Sequence, residues 1–253
     1  MTEKGAAMRA AAILLAAVCW LAPGAPLSAQ SAPPAPSAPK TTPSTVSSSV
    51  IAPSYQTAMQ LYQKGRTMEG AGRQAEAERN FEASLAMVEK LLLLNPSSAD
   101  LISLQCWNLF RLGRHKEVVV KAQRALQTTK DYRIEETMGE SLYFLGQSEE
   151  ALKAFARYMG QAPSDEERLS SAYYYMGECH VRLKQYEHAD IAFTTAVTLE
   201  PGMYYWWYRL GWVREMLGQY RKSYDAYGKA LALNPNFKFA KEGRQRVKAK
   251  ADL

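Results

Sequence analysis

Residues 204–237 read YYWWYRLGWVREMLGQYRKSYDAYGKALALNPNF, and this stretch decides the fold. Its marks are Leu210-Gly211, Gly218, Tyr220, Tyr227, Ala230, Leu233 and Pro235. All but Gly218 recur 34 residues upstream, as Met176-Gly177, Tyr186, Phe193, Ala196, Leu199 and Pro201. A period of this length marks stacked supersecondary units that bury their apolar faces against one another and leave a curved surface for binding. The pattern points to interaction rather than catalysis.

The register extends backwards. Residues 132–165 carry Met138-Gly139, Gly146, Ala151, Phe155 and Pro163, and residues 99–131 carry Cys106, Gly113, Val118, Ala122 and Ala125. A first copy starts near Ala58, with Gly65, Gly72, Ala77 and Phe81, and runs about seven residues longer before Asn95-Pro96 stops it. Five units result, over residues 58–98, 99–131, 132–169, 170–203 and 204–237. The eighth position of each is Gly65, Cys106, Gly139, Gly177 or Gly211. A helical glycine costs about 1 kcal/mol against alanine, so its recurrence needs a packing reason. Position 20 (Ala77, Val118, Ala151, Ala189 or Ser223) is expected to face position 8 across a hairpin, flanked by Phe81, Phe155, Phe193 and Tyr227 at position 24. Position 15 is Gly72, Gly113, Gly146 or Gly218, suited to a left-handed turn, and Lys184 breaks that rule once.

The spacing of Trp207, Leu210-Gly211, Ser223, Tyr227, Ala230 and Pro235 resembles the tetratricopeptide repeat, a helix-turn-helix module, over residues 58–237. The resemblance implies an all-α, right-handed superhelical solenoid of five such repeats. Two departures stand out. Tyr158 occupies a position where the family has a small residue, and four extra residues, Ser164 to Glu167, precede the fourth unit, where a bent or loosened stack is expected. The second helix of the first unit, Phe81 to Leu94, should project beyond its neighbours.

Residues 1–29 combine Lys4 and Arg9 with an apolar run from Ala10 to Ala22, too short for a bilayer core that needs about 20 residues, and end in Leu27-Ser28-Ala29. This reads as a secretory signal, so a periplasmic or extracellular protein is expected. The alternatives are an uncleaved anchor and a later start at Met8. A lipid anchor at Cys19 is disfavoured because Val18 and Trp20 flank it. Residues 30–53 are Ser, Pro, Ala and Thr with almost no charge, a composition that cannot offset the entropy of ordering and reads as a disordered spacer.

Taking Lys4, Arg9 and Glu3 from the chain's 31 basic and 25 acidic residues leaves an excess of five positive charges after Ala29. Most of it lies in residues 238–253, where Phe239, Ala240, Gly243 and Val247 share one helix face. The segment reads as a basic capping helix. A weak attraction to an anionic membrane surface is its other reading, and no nucleic-acid partner is expected.

No catalytic, cofactor or metal site is expected. Glu178-Cys179-His180 places three chemical groups side by side, but neighbours on a helix point about 100° apart. His115, His180 and His188 offer no i, i+4 pair. Cys106 and Cys179 lie two units apart, too far for a disulfide.

In this repeat family the concave face is lined by the first helix of each unit. Positions 2, 5, 9 and 12 are expected to look into it, which selects Tyr62, Arg66, Trp107, Phe110, Glu136, Glu140, Tyr143, Tyr174, Glu178, Tyr205, Tyr208 and Trp212 as partner-binding residues. Aromatics at such positions suit an interface. No groove position is Lys or Asn, unlike the family members that clamp a chaperone tail's carboxylate. The expected function is a non-catalytic scaffold or adaptor that binds an extended or helical segment of another exported or envelope protein. A glycan or lipid carrier using the same aromatics, or a structural subunit of an envelope assembly, are the alternatives.

Overall fold

The computed structural model describes residues 48–251 except Ser164, Asp165 and Glu167. The expected signal and most of the expected spacer lie outside those residues. The described residues form eleven α-helices and one short 3-10 turn, and contain no strand. Helices α1 (Ser48–Gly70) and α2 (Gln74–Leu94) make the first hairpin, α3 (Ala99–Arg111) and α4 (His115–Ala125) the second, and α5 (Tyr132–Phe144) and α6 (Ser148–Met159) the third. Helices α7 (Leu169–Arg182) and α8 (Tyr186–Leu199) follow, then α9 (Tyr204–Met216), α10 (Tyr220–Leu233) and the closing helix α11 (Lys238–Lys248). Residues 48–53, read as spacer from composition, are the first turns of α1.

The five hairpin turns close identically. Arg73, Arg114, Gln147, Gln185 and Gln219 each donate their backbone N–H to the carbonyl five residues back, every time at 2.9 Å. This bond needs one residue with positive φ just after the helix. Gly72, Gly113, Gly146 and Gly218 supply it at 69 to 79°, and Lys184 supplies it at 58° despite its side chain. Helix starts are capped where the sequence allows: Ser98 Oγ accepts from Leu101 N–H, and Asp131 Oδ1 accepts from Arg133 N–H at 2.9 Å.

The recurrent glycine has a more direct reason than the expected meeting of small residues. A Cβ on Gly65, Gly139, Gly177 or Gly211 would lie 2.5 to 2.9 Å from the ring of Phe81, Phe155, Phe193 or Tyr227. Position 8 therefore holds the position-24 ring itself. The second unit makes the opposite exchange, with Cys106 at position 8 and Ala122 at position 24, both fully buried. Tyr227 is packed from its far side by Gly243 of α11, so the closing helix covers the last repeat with Ala240, Gly243 and Val247.

Second helices pack on their own hairpin partner and on the first helix of the next unit, while α1, α3, α5 and α7 also touch one another in sequence. The first helices thus line the inner face. At 21 residues, α2 outruns the other second helices, which have 11 to 14, and leaves Leu93 and Leu94 more than 70% exposed. Its end borders a cleft of about 630 Å³ whose walls include Leu92, Pro96, Ile102, Lys121 and Arg124. The fourth unit continues the stack, with α7 against both α5 and α6.

Candidate functional site

The structure divides the expected groove residues into two sets. Tyr62, Trp107, Glu136, Glu140, Tyr143 and Glu178 are less than 9% exposed, whereas Arg66, Phe110, Tyr174, Tyr205, Tyr208 and Trp212 are half-buried. The first set was expected to look into the groove and instead serves packing. Position 5 lies three residues before the glycine, on the same side of the helix, so it meets the ring that the glycine admits. Tyr62 lies 5.7 Å from Phe81, Tyr174 5.7 Å from Phe193 and Tyr208 6.0 Å from Tyr227, centroid to centroid. Tyr62 also stacks on Trp107 of the next unit at 5.9 Å.

The charged positions are committed in another way. Glu69 of the first unit meets Arg111 of the second at 3.2 Å, and Asp100 of the second meets Arg133 of the third at 2.8 Å. Glu136 and Glu140 of the third share Arg168, which enters the fourth; the Glu140 contact is 2.8 Å. Glu178 of the fourth takes both arms of Arg209 of the fifth, at 2.5 and 3.0 Å. Glu215 of the fifth does the same with Arg246 of α11, at 3.0 Å for each arm. Every seam carries at least one such tie, and the fourth has a second between Asp190 and Arg214 at 2.7 Å; the carboxylate lies on the earlier unit and the guanidinium on the later or, for Arg168, on the segment that leads into it. The sequence holds a trace of it, because the Glu178–Arg209 and Glu215–Arg246 ties span 31 residues each, close to the repeat length.

The third tie is the most deeply buried. Arg168 follows the extra residues, is 7% exposed, and closes the seam where a loosened stack was expected. Burial pushes the Glu136 carboxyl up to about 7; Arg168 pulls it down and the charge of Glu140 adds to the rise. Tyr158 is fully buried, and its ring lies 6.1 Å from that of Tyr132.

Of the six half-buried residues, four are rings gathered on α7 and α9. Tyr174 stacks on Trp206 at 5.2 Å with planes 13° apart. Tyr205 tilts against Tyr208 at 5.6 Å, and Trp212 meets the edge of Tyr186 at 6.0 Å. The Arg209 guanidinium, already held by Glu178, lies 5.0 Å over the Trp212 ring. Its charge is thus matched before any ligand arrives, and the surface offers ring faces and edges rather than a net charge.

Glu178, Cys179 and His180 go to separate partners. Glu178 binds Arg209, Cys179 is fully buried with its thiol pushed up to about 12 by burial, and His180 bonds Gln185. Cys106 is likewise buried and pushed up to about 12, and both cysteines are free. One pairing escaped the sequence analysis. His180 and His188 meet across the turn between α7 and α8, with centroids 5.2 Å apart. The available signal was symmetry: each lies four residues from Lys184 at the turn.

Comparison with known families fits this geometry. Two tetratricopeptide repeat models match, one over residues 170–203 and one over residues 204–237. Together with five hairpins closed by one turn bond, these matches decide the family. The chain is a tetratricopeptide repeat protein.

As a tetratricopeptide repeat protein it shares its fold with solved members. YrrB, described as a tetratricopeptide repeat protein with an unusual peptide-binding site, is 18% identical, with 77% of this chain and 95% of that one covered at a TM-score of 0.56. MamA is 15% identical, with 74% and 96% covered at 0.55. MamA 41-end from Desulfovibrio magneticus RS-1 is 17% identical, with 72% and 97% covered at 0.55. At these identities the likeness extends to the fold alone. No curated protein sequence matches this tetratricopeptide repeat protein. No helix among its described residues is long and apolar enough to cross a membrane.

Proposed function

We propose that this chain is a non-catalytic interaction scaffold of the cell envelope that binds an extended or helical segment of a partner protein on the inner face of its last two repeats. One observation carries the reading: the half-buried rings of Tyr174, Tyr205, Tyr208 and Trp212 gather on α7 and α9, where Arg209 and Glu178 neutralise each other. Large amphipathic rings at a concave surface supply contact area at low entropy cost. The peptide-binding site described for YrrB supports the same use of the fold. Export rests on the charged, apolar and small-residue order of residues 1–29.

The test places a photo-crosslinking side chain at position 205 or 212 of the full chain in its native cell. A defined protein should be captured at both positions and lost with Trp212→Lys or Tyr205→Lys, each checked for unchanged helicity. Tyr174 and Tyr208 are unsuitable for substitution because both support the core rings. Capture that survives both lysine variants would refute the aromatic surface as the binding face. Recovery of the protein with its N-terminus intact in the cytoplasmic fraction would refute export.

A further inference from the structure

His180 ends the exposed side of α7 and His188 begins that of α8. Their rings lie 5.2 Å apart, centroid to centroid, with planes 26° apart. His180 Nδ1 is 2.8 Å from Gln185 Oε1. An amide oxygen only accepts, so Nδ1 carries the hydrogen and Nε2 presents its lone pair. The Gln185 backbone is held beside His180 as well, its N–H donating to the His180 carbonyl at 2.9 Å. An imidazole whose far nitrogen donates to a fixed oxygen is the arrangement that orients metal-bound histidines. Burial holds the His180 imidazolium form below its ordinary value, and the charge of His188 acts in the same direction against the Gln185 bond.

We propose that His180 and His188 together bind a first-row transition-metal dication such as Zn²⁺, with water completing its shell. The separation fits. Zinc binds a ring nitrogen at about 2.0–2.1 Å, which places the ion about 3.2 Å from each ring centre. Two centres 5.2 Å apart on arms of that length subtend roughly 110° at the ion, the tetrahedral angle. To aim a nitrogen of each at one ion the stacked rings would turn about χ2, on helix ends joined by the Lys184 turn. His188 is exposed and His180 half-buried, so the ion enters from solvent. Imidazole nitrogen selects zinc, nickel or copper over magnesium or calcium, which take oxygen ligands. The neighbouring Cys179 thiol is buried and protonated and takes no part. Among the described residues no third His, Cys, Asp or Glu completes a cluster, so the site exchanges its ion rather than sequestering it.

The test is calorimetric titration of the untagged full chain with ZnCl₂ at pH 7.5, with CoCl₂ added in parallel to read ligand geometry from its visible absorption. One ion per chain should bind. His188→Gln and His180→Gln should each weaken binding at least tenfold, and Gln185→Ala, which removes no ligand, about tenfold. His115→Gln should leave it unchanged. Because His188 is exposed, its replacement leaves the core intact. Failure of the unsubstituted chain to take up zinc, or equal uptake by His188→Gln, would overturn the site.

Discussion

The ring of Phe193 occupies the place where Gly177 would carry a side chain: a Cβ there would sit 2.7 Å from two ring carbons. The second unit solves the same volume with Cys106 and Ala122. Gly177→Cys alone should cost about 1–3 kcal/mol by overpacking, and Phe193→Ala alone about 3–5 kcal/mol by leaving a cavity. The double variant reproduces the second unit's pair and should cost less than the two losses combined. Urea unfolding of the four chains measures the interaction, and additive losses would contradict the exchange.

Lys184 holds φ at 58°, a conformation that costs a residue with a Cβ about 1 kcal/mol and glycine almost nothing. Lys184→Gly should raise stability by about 0.5–1 kcal/mol, once the greater freedom of glycine in the unfolded chain is counted. Gly113→Ala, at the matching position of the second unit, should lower it. Midpoints of thermal unfolding decide both signs.

Arg168 holds two buried carboxylates at the seam between the third and fourth units. Arg168→Ala leaves both without their cation and should cost about 3–5 kcal/mol. Arg246→Ala, at the last seam, removes a guanidinium whose side chain is 53% exposed and should cost under about 1 kcal/mol. Equal losses in chemical denaturation would show that burial does not govern the ties.

Glu136 gives the seam a pH dependence of defined sign. Its folded value of about 7 lies above the ordinary 4.5, so the folded chain holds this proton more tightly than the unfolded chain. Its contribution is fully present below pH 4.5 and is lost as pH rises through 7. Glu136→Gln removes the titration, so its stability relative to the unsubstituted chain should be higher at pH 8 than at pH 5. A difference independent of pH, measured by urea unfolding at both values, would remove Glu136 as the source.

Features set within one hairpin were legible before the fold was known. Proline stops, the glycine turns and the aromatic at position 24 each express a local backbone or volume requirement. At position 5 the glycine at position 8 admits the ring of Phe81, Phe193 or Tyr227 onto that side of the helix, which buries Tyr62 and leaves Tyr174 and Tyr208 half-buried against those rings. Glu136, Glu140 and Glu178 were misplaced for a different reason. Their burial depends on Arg168, in the extra segment that leads into the fourth unit, and on Arg209 of the fifth, both of which come near only when the units stack. Tyr205 and Trp212 remain partly exposed, whereas Trp107, at the same repeat position as Trp212, is buried where Tyr62 of the preceding unit stacks on it. The histidine pair needed the turn as a mirror: an antiparallel hairpin brings together residues equally distant from its bend, a relation that i, i+4 spacing within one helix cannot reveal.

The ordered ties between units also bear on how such an array changes length. The ties share a polarity but not a position: Asp100 and Arg133 are each second in their units, whereas Glu178 is ninth and Arg209 sixth, so each seam is matched to its own two neighbours. The joints work as keyed couplings of one polarity, and a duplicated second unit would set Asp100 against its own copy in the place where Arg133 now stands. The closing helix accepts the last coupling through Arg246, so Glu215 of the fifth unit keeps a partner on the helix that covers it.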